Sequence, residues 1–165
     1  MLTKVVSGGQ SGVDAAALVA AHECGFETGG WVPQGWATKK GPLPLLMLFG
    51  LREHPSSSYS VRTKANVADS DGTLIIVKRV EEITGGTKLA MDTAKALGRR
   101  FGLVELRGYI PQFEEAVVTW IVKRGIGTLN VAGPRESRSP GIEEAAQEFL
   151  VGVFRRLRQV EGGGN

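Results

Sequence analysis

Three loops rich in glycine or proline carry the residues of this chain that are best suited to binding an anion. They read SGGQSG at residues 7–12, TGGT at residues 84–87 and AGPRESRSPG at residues 132–141. Each loop leads from a predicted strand towards a predicted helix. Glycine lets a ligand approach the backbone there, and the first N–H groups of the next helix favour negative charge. The three loops together predict an anion or phosphate site.

Two common phosphate-binding motifs do not occur in the sequence. Gly8, Gly9 and Gly12 lack the spacing of the G-x-G-x-x-G dinucleotide motif. The next predicted strand ends at Trp31 and Val32 rather than at an acid that would hold a ribose. The G-x-x-x-x-G-K-[ST] motif of P-loop NTPases is also missing. The pattern therefore disfavours NAD and excludes a P-loop NTPase.

Few residues have the types and spacing that catalysis requires. His22 and His54 have no cysteine nearby at metal-ligand spacing, so we expect surface histidines rather than metal ligands. Cys24 is expected to be a small buried residue. Asp71 fits a turn at the start of a strand, and Asp14 is expected to stabilise the first turn of a helix. No catalytic residue is assigned.

Arg62 lies on a predicted helix, three residues after Tyr59 and four before Asn66. Those spacings place all three side chains near one face of the helix. Two interpretations remain open for Arg62. It is either a surface arginine or a guanidinium directed towards the glycine loops.

Short apolar runs alternate with helical patterns along the chain. This alternation predicts an α/β fold, a Rossmann-like three-layer α/β/α sandwich with a mostly parallel sheet of five or more strands. The runs TLIIV and TLNVA are apolar on both faces, as a sheet covered on both sides requires. Strands are predicted at residues 4–7, 28–32, 72–77, 102–106 and 128–132. Helices are predicted at residues 12–24, 58–68, 87–97, 113–124 and 141–157.

The 165 residues suffice for one domain, predicted at residues 1–160 and followed by a flexible tail at residues 161–165. The net charge of +3 suits a small anionic ligand better than nucleic acid. The single cysteine predicts a reducing, cytoplasmic environment. No apolar stretch approaches the roughly 20 residues that span a bilayer. Because Met1 leads almost directly into the first strand, we expect no signal peptide.

These stretches resemble the molybdenum carrier protein family, which is related to molybdenum-cofactor carriers and to the lysine-decarboxylase-like, LOG-type Rossmann proteins. The resemblance rests on SGGQSGVDAAAL, GGWVPQG, GPLP, YSVRTKANVADSDGTLI, TGGT and NVAGPRESRSPGI, which together cover nearly the whole chain. It implies a Rossmann-like fold, a homo-oligomer (a dimer or a tetramer) and a ligand held at the glycine-rich edge of the sheet.

The resemblance also implies a set of binding residues and a ligand. The ligand is the molybdenum cofactor, a pterin with a terminal phosphate, and molybdoenzymes are its implied recipients. Backbone N–H groups and arginines suit the phosphate. The implied site comprises Gly8, Gly9, Gln10, Ser11, Arg62, Thr63, Gly85, Gly86, Thr87, Gly133, Pro134, Arg135, Glu136 and Ser137.

One departure from the related LOG-type enzymes bears on catalysis. Those phosphoribohydrolases carry P-G-G-x-G-T-x-x-E, in which the glutamate serves hydrolysis. Here TGGTKLAMD lacks one residue of the loop and places Ala90 where that glutamate would fall. Asp92 lies about 200° around the helix from that position, so it is a poor substitute. We therefore predict a carrier that performs no catalysis.

Two alternatives remain open at this stage. The first is a LOG-like nucleoside 5'-monophosphate phosphoribohydrolase, for which Glu136 and Asp71 are the remaining carboxylates near loops. The second is a nucleotide-binding module that takes a nucleoside monophosphate without hydrolysing it. A further uncertainty is the apolar run LPLLMLFGL at residues 43–51, for which core packing, an oligomer contact and a ligand lid are all open.

Overall fold

The computed structural model describes residues 1–36 and 48–163. Within these residues the chain forms six strands and five α-helices. The strands are β1 (Lys4–Val6), β2 (Glu27–Val32), β3 (Leu51–Glu53), β4 (Gly72–Val77), β5 (Arg100–Glu105) and β6 (Thr128–Ala132). The helices are α1 (Val13–Glu23), α2 (Tyr59–Ala68), α3 (Gly85–Ala96), α4 (Gln112–Arg124) and α5 (Ile142–Gly162).

The strands form one parallel sheet in the order β3-β2-β1-β6-β4-β5. Helix α5 packs against α1 and α4, whereas α2 packs against α3. Both faces of the sheet are thus covered, which is the arrangement expected for parallel strands. The predicted Rossmann-like α/β fold is confirmed. No helix among residues 1–36 and 48–163 is long and apolar enough to cross a membrane.

Strand β4 shows why the sheet is covered on both sides. All six of its residues are buried. Leu74 and Ile76 belong to the large core beneath α1, α4 and α5, whereas Ile75 and Val77 belong to a smaller core beneath α2 and α3. Successive side chains of a strand point to opposite faces, so an uninterrupted apolar run supplies both cores.

The structure differs from the predicted elements mainly at their ends. Strand β3 was not predicted, because its sequence Leu-Arg-Glu shows no apolar alternation. Helix α3 begins at Gly85, two residues before the predicted start, and β5 begins at Arg100 rather than at residue 102. Helix α5 continues to Gly162, beyond the predicted end at residue 157.

The apolar run at residues 43–51 is only partly described. Residues 43–47, like the GPLP stretch at residues 41–44, lie outside the described residues. Of the remainder, Leu51 is buried with Leu18 and Val32, and Phe49 packs against that cluster. Leu48 is 76% exposed. Of the three interpretations of this run, core packing therefore applies to its last residues, Phe49 and Leu51.

Helices α4 and α5 are joined by a polar contact at their interface. Glu114 is buried on α4 and accepts hydrogen bonds from the Tyr109 hydroxyl and from Nε of Arg156, the latter at 2.8 Å. A Cβ atom on Gly152 of α5 would lie only 2.2 Å from Oε1 of Glu114. Glycine at position 152 thus provides the space for this carboxylate between the two helices.

The Tyr109 contact predicts an unusual titration. The hydrogen bond to Glu114, with burial and the carboxylate charge, raises the pKa of Tyr109 to about 12 from an ordinary value of 10.0. In a Tyr59→Phe variant, which leaves Tyr109 as the single tyrosine, phenolate absorbance should therefore appear with a midpoint near 12. Glu114→Gln should move that midpoint towards 10.0.

The raised pKa of Tyr109 also determines the pH range over which its contact with Glu114 stabilises the fold. Because the folded-state pKa of Tyr109 lies above its unfolded value, the contact stabilises the fold fully below pH 10.0 and loses this effect as the pH rises through about 12. Circular dichroism at each pH would show whether the chain is folded where the absorbance is read. A midpoint near 10.0 in the folded parent would contradict the assignment.

Candidate functional site

A cavity of about 590 Å³ lies at the carboxyl ends of β1 and β6, between helices α2 and α3. From β1 the chain continues to β2, towards one edge of the sheet, whereas from β4 it continues to β5, towards the opposite edge. Ligands of open α/β sheets bind at such a topological switch point. The predicted residues that line the cavity are Gly8, Gln10, Arg62, Thr63, Gly85, Gly86, Thr87, Gly133, Pro134 and Arg135. The cavity lining does not include Gly9, Ser11, Glu136 or Ser137.

Arg62 is buried in the wall of this cavity, with a side chain that is only 9% exposed. Its Nη1 lies 3.5 Å from Oδ2 of Asp14. Among the described residues, nothing accepts a hydrogen bond from its buried Nε. Burial lowers the pKa of Arg62, and the carboxylate of Asp14 opposes that change. Of the two interpretations of Arg62, the surface arginine is wrong, and the guanidinium faces the glycine loops.

Asp14 is a cavity residue whose role the sequence analysis did not find. Its side chain is 10% exposed, and its Oδ2 accepts a hydrogen bond from the backbone N–H of Gln10 at 3.4 Å. Asp14 therefore connects the first loop to Arg62 on α2, rather than only stabilising the first turn of α1. Burial raises the pKa of Asp14, and the Arg62 guanidinium opposes this shift. The sequence held no signal for this role, because acids are common in first helical turns.

Several glycines of the loops are required for packing within the protein, whether or not a ligand binds. A Cβ atom on Gly8 would lie 1.4 Å from Nη1 of Arg62. One on Gly133 would lie 2.3 Å from the carbonyl oxygen of Ile76, and one on Gly12 would lie 2.4 Å from that of Pro134. Real Cβ atoms do not approach other atoms so closely. These glycines allow close packing of the loops on α2, β4 and one another.

The glycines of the TGGT loop have open space beside them. Apart from the adjacent residues and the backbone of α3 itself, no atom of the described residues lies within 4 Å of a Cβ position on Gly85 or Gly86, and both residues line the cavity. They form the first turn of α3 together with Thr87, and Thr84 at the N-cap makes no side-chain hydrogen bond to the helix. The first N–H groups of α3 thus border the cavity. Unpaired N–H groups in the first turn of a helix favour negative charge.

Aromatic and cationic side chains meet at the outer part of the cavity. The guanidinium carbon of Arg135 lies 5.0 Å from the ring centre of Tyr59, and that of Arg62 lies 5.7 Å from it. Both distances fall within the range of cation–π contacts. Arg138 also lines the cavity and is exposed. The positive charge of three arginines and the α3 dipole therefore converges on one space.

Asn66, the third residue of the predicted α2 face, has a structural role as well as a place in the cavity lining. Its Oδ1 accepts a hydrogen bond from the backbone N–H of Trp31 at 2.7 Å, and its Nδ2 donates to the Trp31 carbonyl at 3.1 Å. Because β2 pairs with β1 only as far as Gly29, Asn66 satisfies backbone groups that β1 leaves open. The contact fixes α2 against the sheet and so positions Arg62.

The carboxylates near the site are already engaged by the protein. Glu136 accepts hydrogen bonds from the backbone N–H groups of Gly141 and Glu143, the latter at 3.0 Å, where α5 begins. Glu82 accepts from the backbone N–H of Lys78 at 3.1 Å and from the Ser139 hydroxyl at 3.0 Å. Neither carboxylate is placed as a free general base. Within the described parts of the chain, no group of acids, histidines and cysteines is arranged to hold a metal ion.

The other two acids considered for hydrolysis lie away from the cavity. Asp71 precedes β4, at the amino end of the sheet, where its Oδ2 accepts from the backbone N–H groups of Gly127 and Thr128. Asp92 is half exposed and pairs with Lys88 on the surface of α3. The position expected for the catalytic glutamate is filled by Ala90, which is fully buried and lines the cavity. The hydrolase alternative is therefore not favoured.

Fold and site together define a Rossmann-like α/β protein with a glycine-bordered cavity, lined by three arginines and two acids, at the topological switch point. The chain belongs to the circularly permutated YpsA SLOG family, whose model matches residues 5–154. It is also similar to a crystal structure described as a putative molybdenum carrier protein from Syntrophus aciditrophicus SB. The two chains are 38% identical, with a TM-score of 0.85, over 93% of this chain and 94% of that one. No protein of curated function matches the chain.

Proposed function

We propose that this protein binds the molybdenum cofactor in the cavity between α2 and α3 and carries it without chemical change. The name of the similar Syntrophus protein supports the carrier role. The cargo is a phosphate-bearing pterin, and a molybdoenzyme is its recipient. The observation that carries the proposal is the buried Arg62, whose Nε has no acceptor among the described residues, beside the open first turn of α3.

The chemistry of the cavity suits such a ligand. In this proposal the N–H groups of Gly86 and Thr87, which line the cavity in the first turn of α3, bind the terminal phosphate. Arg62 and Arg135 supply charge-assisted donors, and the apolar lining from Leu89 and Ala90 suits a flat ring. A volume of about 590 Å³ lies within the usual range for small-molecule sites, roughly 300–1,000 Å³.

A carrier role also agrees with the engagement of the acids. A general base must reach the proton that it removes. Asp14 is paired with Arg62, and Glu82 and Glu136 hold backbone N–H groups, so each acid already has a structural partner. A protein that must release its ligand unchanged needs no such base.

The test is retention of the cofactor by purified protein. Protein is loaded anaerobically with released molybdenum cofactor and desalted, and the eluate is then oxidised so that pterin fluorescence can be read. We expect stoichiometric retention by the wild type and loss in Arg135→Ala. Arg124→Ala, which removes an exposed arginine on α4, is the matched control and should retain the cofactor.

The opposite outcome has a defined meaning. If the wild type retains no pterin, the carrier proposal is wrong. AMP added during loading then serves as the second probe, because a nucleoside monophosphate presents the same anionic group. Retention of AMP without release of free base would indicate a nucleotide-binding module, and release of base would indicate hydrolysis.

A further inference from the structure

Two N–H groups at the start of α1 are occupied by carboxylates of the protein itself. The backbone N–H of Gly12 donates to Oε2 of Glu143 at 2.7 Å. The backbone N–H of Gln10 donates to Oδ2 of Asp14 at 3.4 Å, and Asp14 also lines the cavity. A phosphate at this end would have to displace a carboxylate from each of these donors. The first loop therefore does not offer these two N–H groups to an anionic ligand.

The α3 end of the cavity differs in this respect. Thr84 at the N-cap makes no side-chain hydrogen bond to the helix, and Gly85 and Gly86 have open space beside them. Strand β1 precedes α1 and strand β4 precedes α3, and both strands are neighbours of β6. The two strands therefore lie two strand spacings apart, about 9–10 Å. A ligand whose phosphate lies at α3, as proposed above, extends from there across the end of β6.

Asn130 lies on β6 and lines the cavity. Its neighbours Leu129 and Val131 belong to the core beneath α1, α4 and α5, so the Asn130 side chain points to the opposite face, where the cavity lies. Asn130 is 3% exposed, and its Nδ2 donates to Oγ1 of Thr73 at 3.3 Å. Among the described residues, nothing donates a hydrogen bond to its Oδ1. Because Nε of Arg62 is the single enclosed side-chain atom without a partner in this part of the chain, the unpaired Oδ1 must reach the open space of the cavity.

We propose that Oδ1 of Asn130 accepts a hydrogen bond from the ring of the cargo and thereby selects a ring that has an N–H donor. This inference rests on the carrier function proposed above. It gives the cargo a direction, with its phosphate at α3 and the N–H edge of its ring over β6. The class of ligand is a fused nitrogen heterocycle that carries one phosphate and presents N–H donors. The pyrimidine ring of a pterin, with a ring N–H beside an amino group, belongs to this class.

The burial of Asn130 makes this contact selective. A bound ring without an N–H group would cover Oδ1 and leave it without a donor, and a buried acceptor that loses its partner costs its desolvation energy. Sites built to hydrogen-bond a ligand group reject analogues that lack the group for this reason. An apolar side chain at position 130 would remove the discrimination.

A double variant separates ligand recognition from stability. Asn130→Leu alone would leave Oγ1 of Thr73 without this donor. Asn130→Leu/Thr73→Val replaces both partners by apolar side chains of similar size, which should be nearly neutral for folding. Thr73 is fully buried and is not part of the cavity lining. Thr73→Val is therefore the matched control, because it removes the same internal hydrogen bond and keeps Oδ1 at the cavity.

Three probes test which part of the ligand Asn130 contacts. They are 6-hydroxymethylpterin phosphate, the corresponding phosphate of 1,3-dimethyllumazine, whose pyrimidine ring has no N–H group, and glycerol 3-phosphate, which has no ring. Fluorescence titration gives Kd for the two ring compounds, and displacement of the pterin gives Kd for glycerol 3-phosphate. The double variant should raise the Kd of the pterin phosphate roughly 3–10-fold, the contribution of one hydrogen bond, and should not weaken binding of the other two probes. Thr73→Val should change none of the three.

The outcomes distinguish this inference from the carrier proposal. A wild type that binds no pterin phosphate would reject both. If the double variant, shown by circular dichroism to be folded, binds the pterin phosphate as tightly as the wild type, the role of Asn130 is rejected and the carrier proposal stands. Equal weakening of the pterin and lumazine phosphates would show that the variant acts through cavity shape rather than through an N–H donor. Loss of glycerol 3-phosphate binding in the double variant would place the phosphate over β6 and reject the proposed direction.

Discussion

Replacing Arg62 by methionine is expected to abolish cofactor retention and to lower the free energy of unfolding by about 3–5 kcal/mol near neutral pH. The first effect follows because the buried guanidinium is the cation deepest in the wall of the cavity. The second follows because Asp14, 7% exposed as a residue, loses its ionic partner and remains a buried charge. Urea unfolding and pterin fluorescence after desalting measure the two effects separately.

A second substitution distinguishes the lost ion pair from general damage to the core. Asp14→Asn removes the buried charge, so the double variant Asp14→Asn/Arg62→Met should regain most of the stability. It should still fail to retain the cofactor. Arg124→Met, at an exposed position of α4, is the matched control and should change neither property. Equal instability of the single and double variants would show that packing rather than charge is responsible.

The stability of Arg62→Met should recover at acid pH. Burial raises the pKa of Asp14, and the Arg62 guanidinium lowers it, so removal of the guanidinium raises it further. In the variant the folded-state pKa lies above the ordinary value of 3.8. Protonation then favours the folded state, and the variant gains stability as pH falls through the folded-state pKa, with the gain complete below 3.8. A wild-type-to-variant difference that does not change with pH would contradict this account.

Substituting alanine at two glycines is expected to have opposite effects on stability. Gly133→Ala should destabilise the fold by about 3 kcal/mol, because the new Cβ must displace the Ile76 carbonyl and Val13. Gly86→Ala should stabilise it by about 0.4–1 kcal/mol, since Gly86 lies in α3 with open space at its Cβ position. Thermal unfolding of both variants measures the difference.

Cofactor retention by the Gly86→Ala variant tests where the ligand lies. Gly86 lines the cavity beside the N–H groups proposed to hold the phosphate, so a methyl group added there should weaken cofactor retention despite the higher stability. Retention equal to that of the wild type would place the phosphate away from the α3 N-terminus. A Gly133→Ala variant as stable as the wild type would show that the loop after β6 relaxes freely.

Much of the fold was predictable because its pattern is local. The six buried residues of β4 form one continuous apolar run, which indicates a strand covered on both faces. Helix α4 ends at Arg124, as predicted, before Gly125, whose φ of 60° lies in the left-handed region. Strand β3 escaped prediction because three residues carry no periodicity, and its pairing with β2 alone defines it as a strand.

The site was predictable only in its outline. Loops after parallel strands meet at one edge of the sheet, so the sequence predicted that the first, TGGT and last loops lie together, and residues of all three line one cavity. It could not separate Gly8 and Gly133, which make room for protein atoms, from Gly86, which borders open space. Whether the space beside a glycine is filled depends on residues far away in the sequence. Beside Gly8 it is filled by Arg62, which lies 54 residues later in the chain.

The sequence by itself determined the α/β class, the family and the edge of the sheet at which the glycine-rich loops meet, because periodicity and loop composition are properties of neighbouring residues. The tertiary structure alone decided that Arg62 is buried beside Asp14 with its Nε lacking an acceptor among the described residues, and that β5 is left at the edge of the sheet. Burial and strand order arise from contacts between segments distant in the chain. They set the desolvation of a charge and the exposure of a strand edge, which no local pattern encodes.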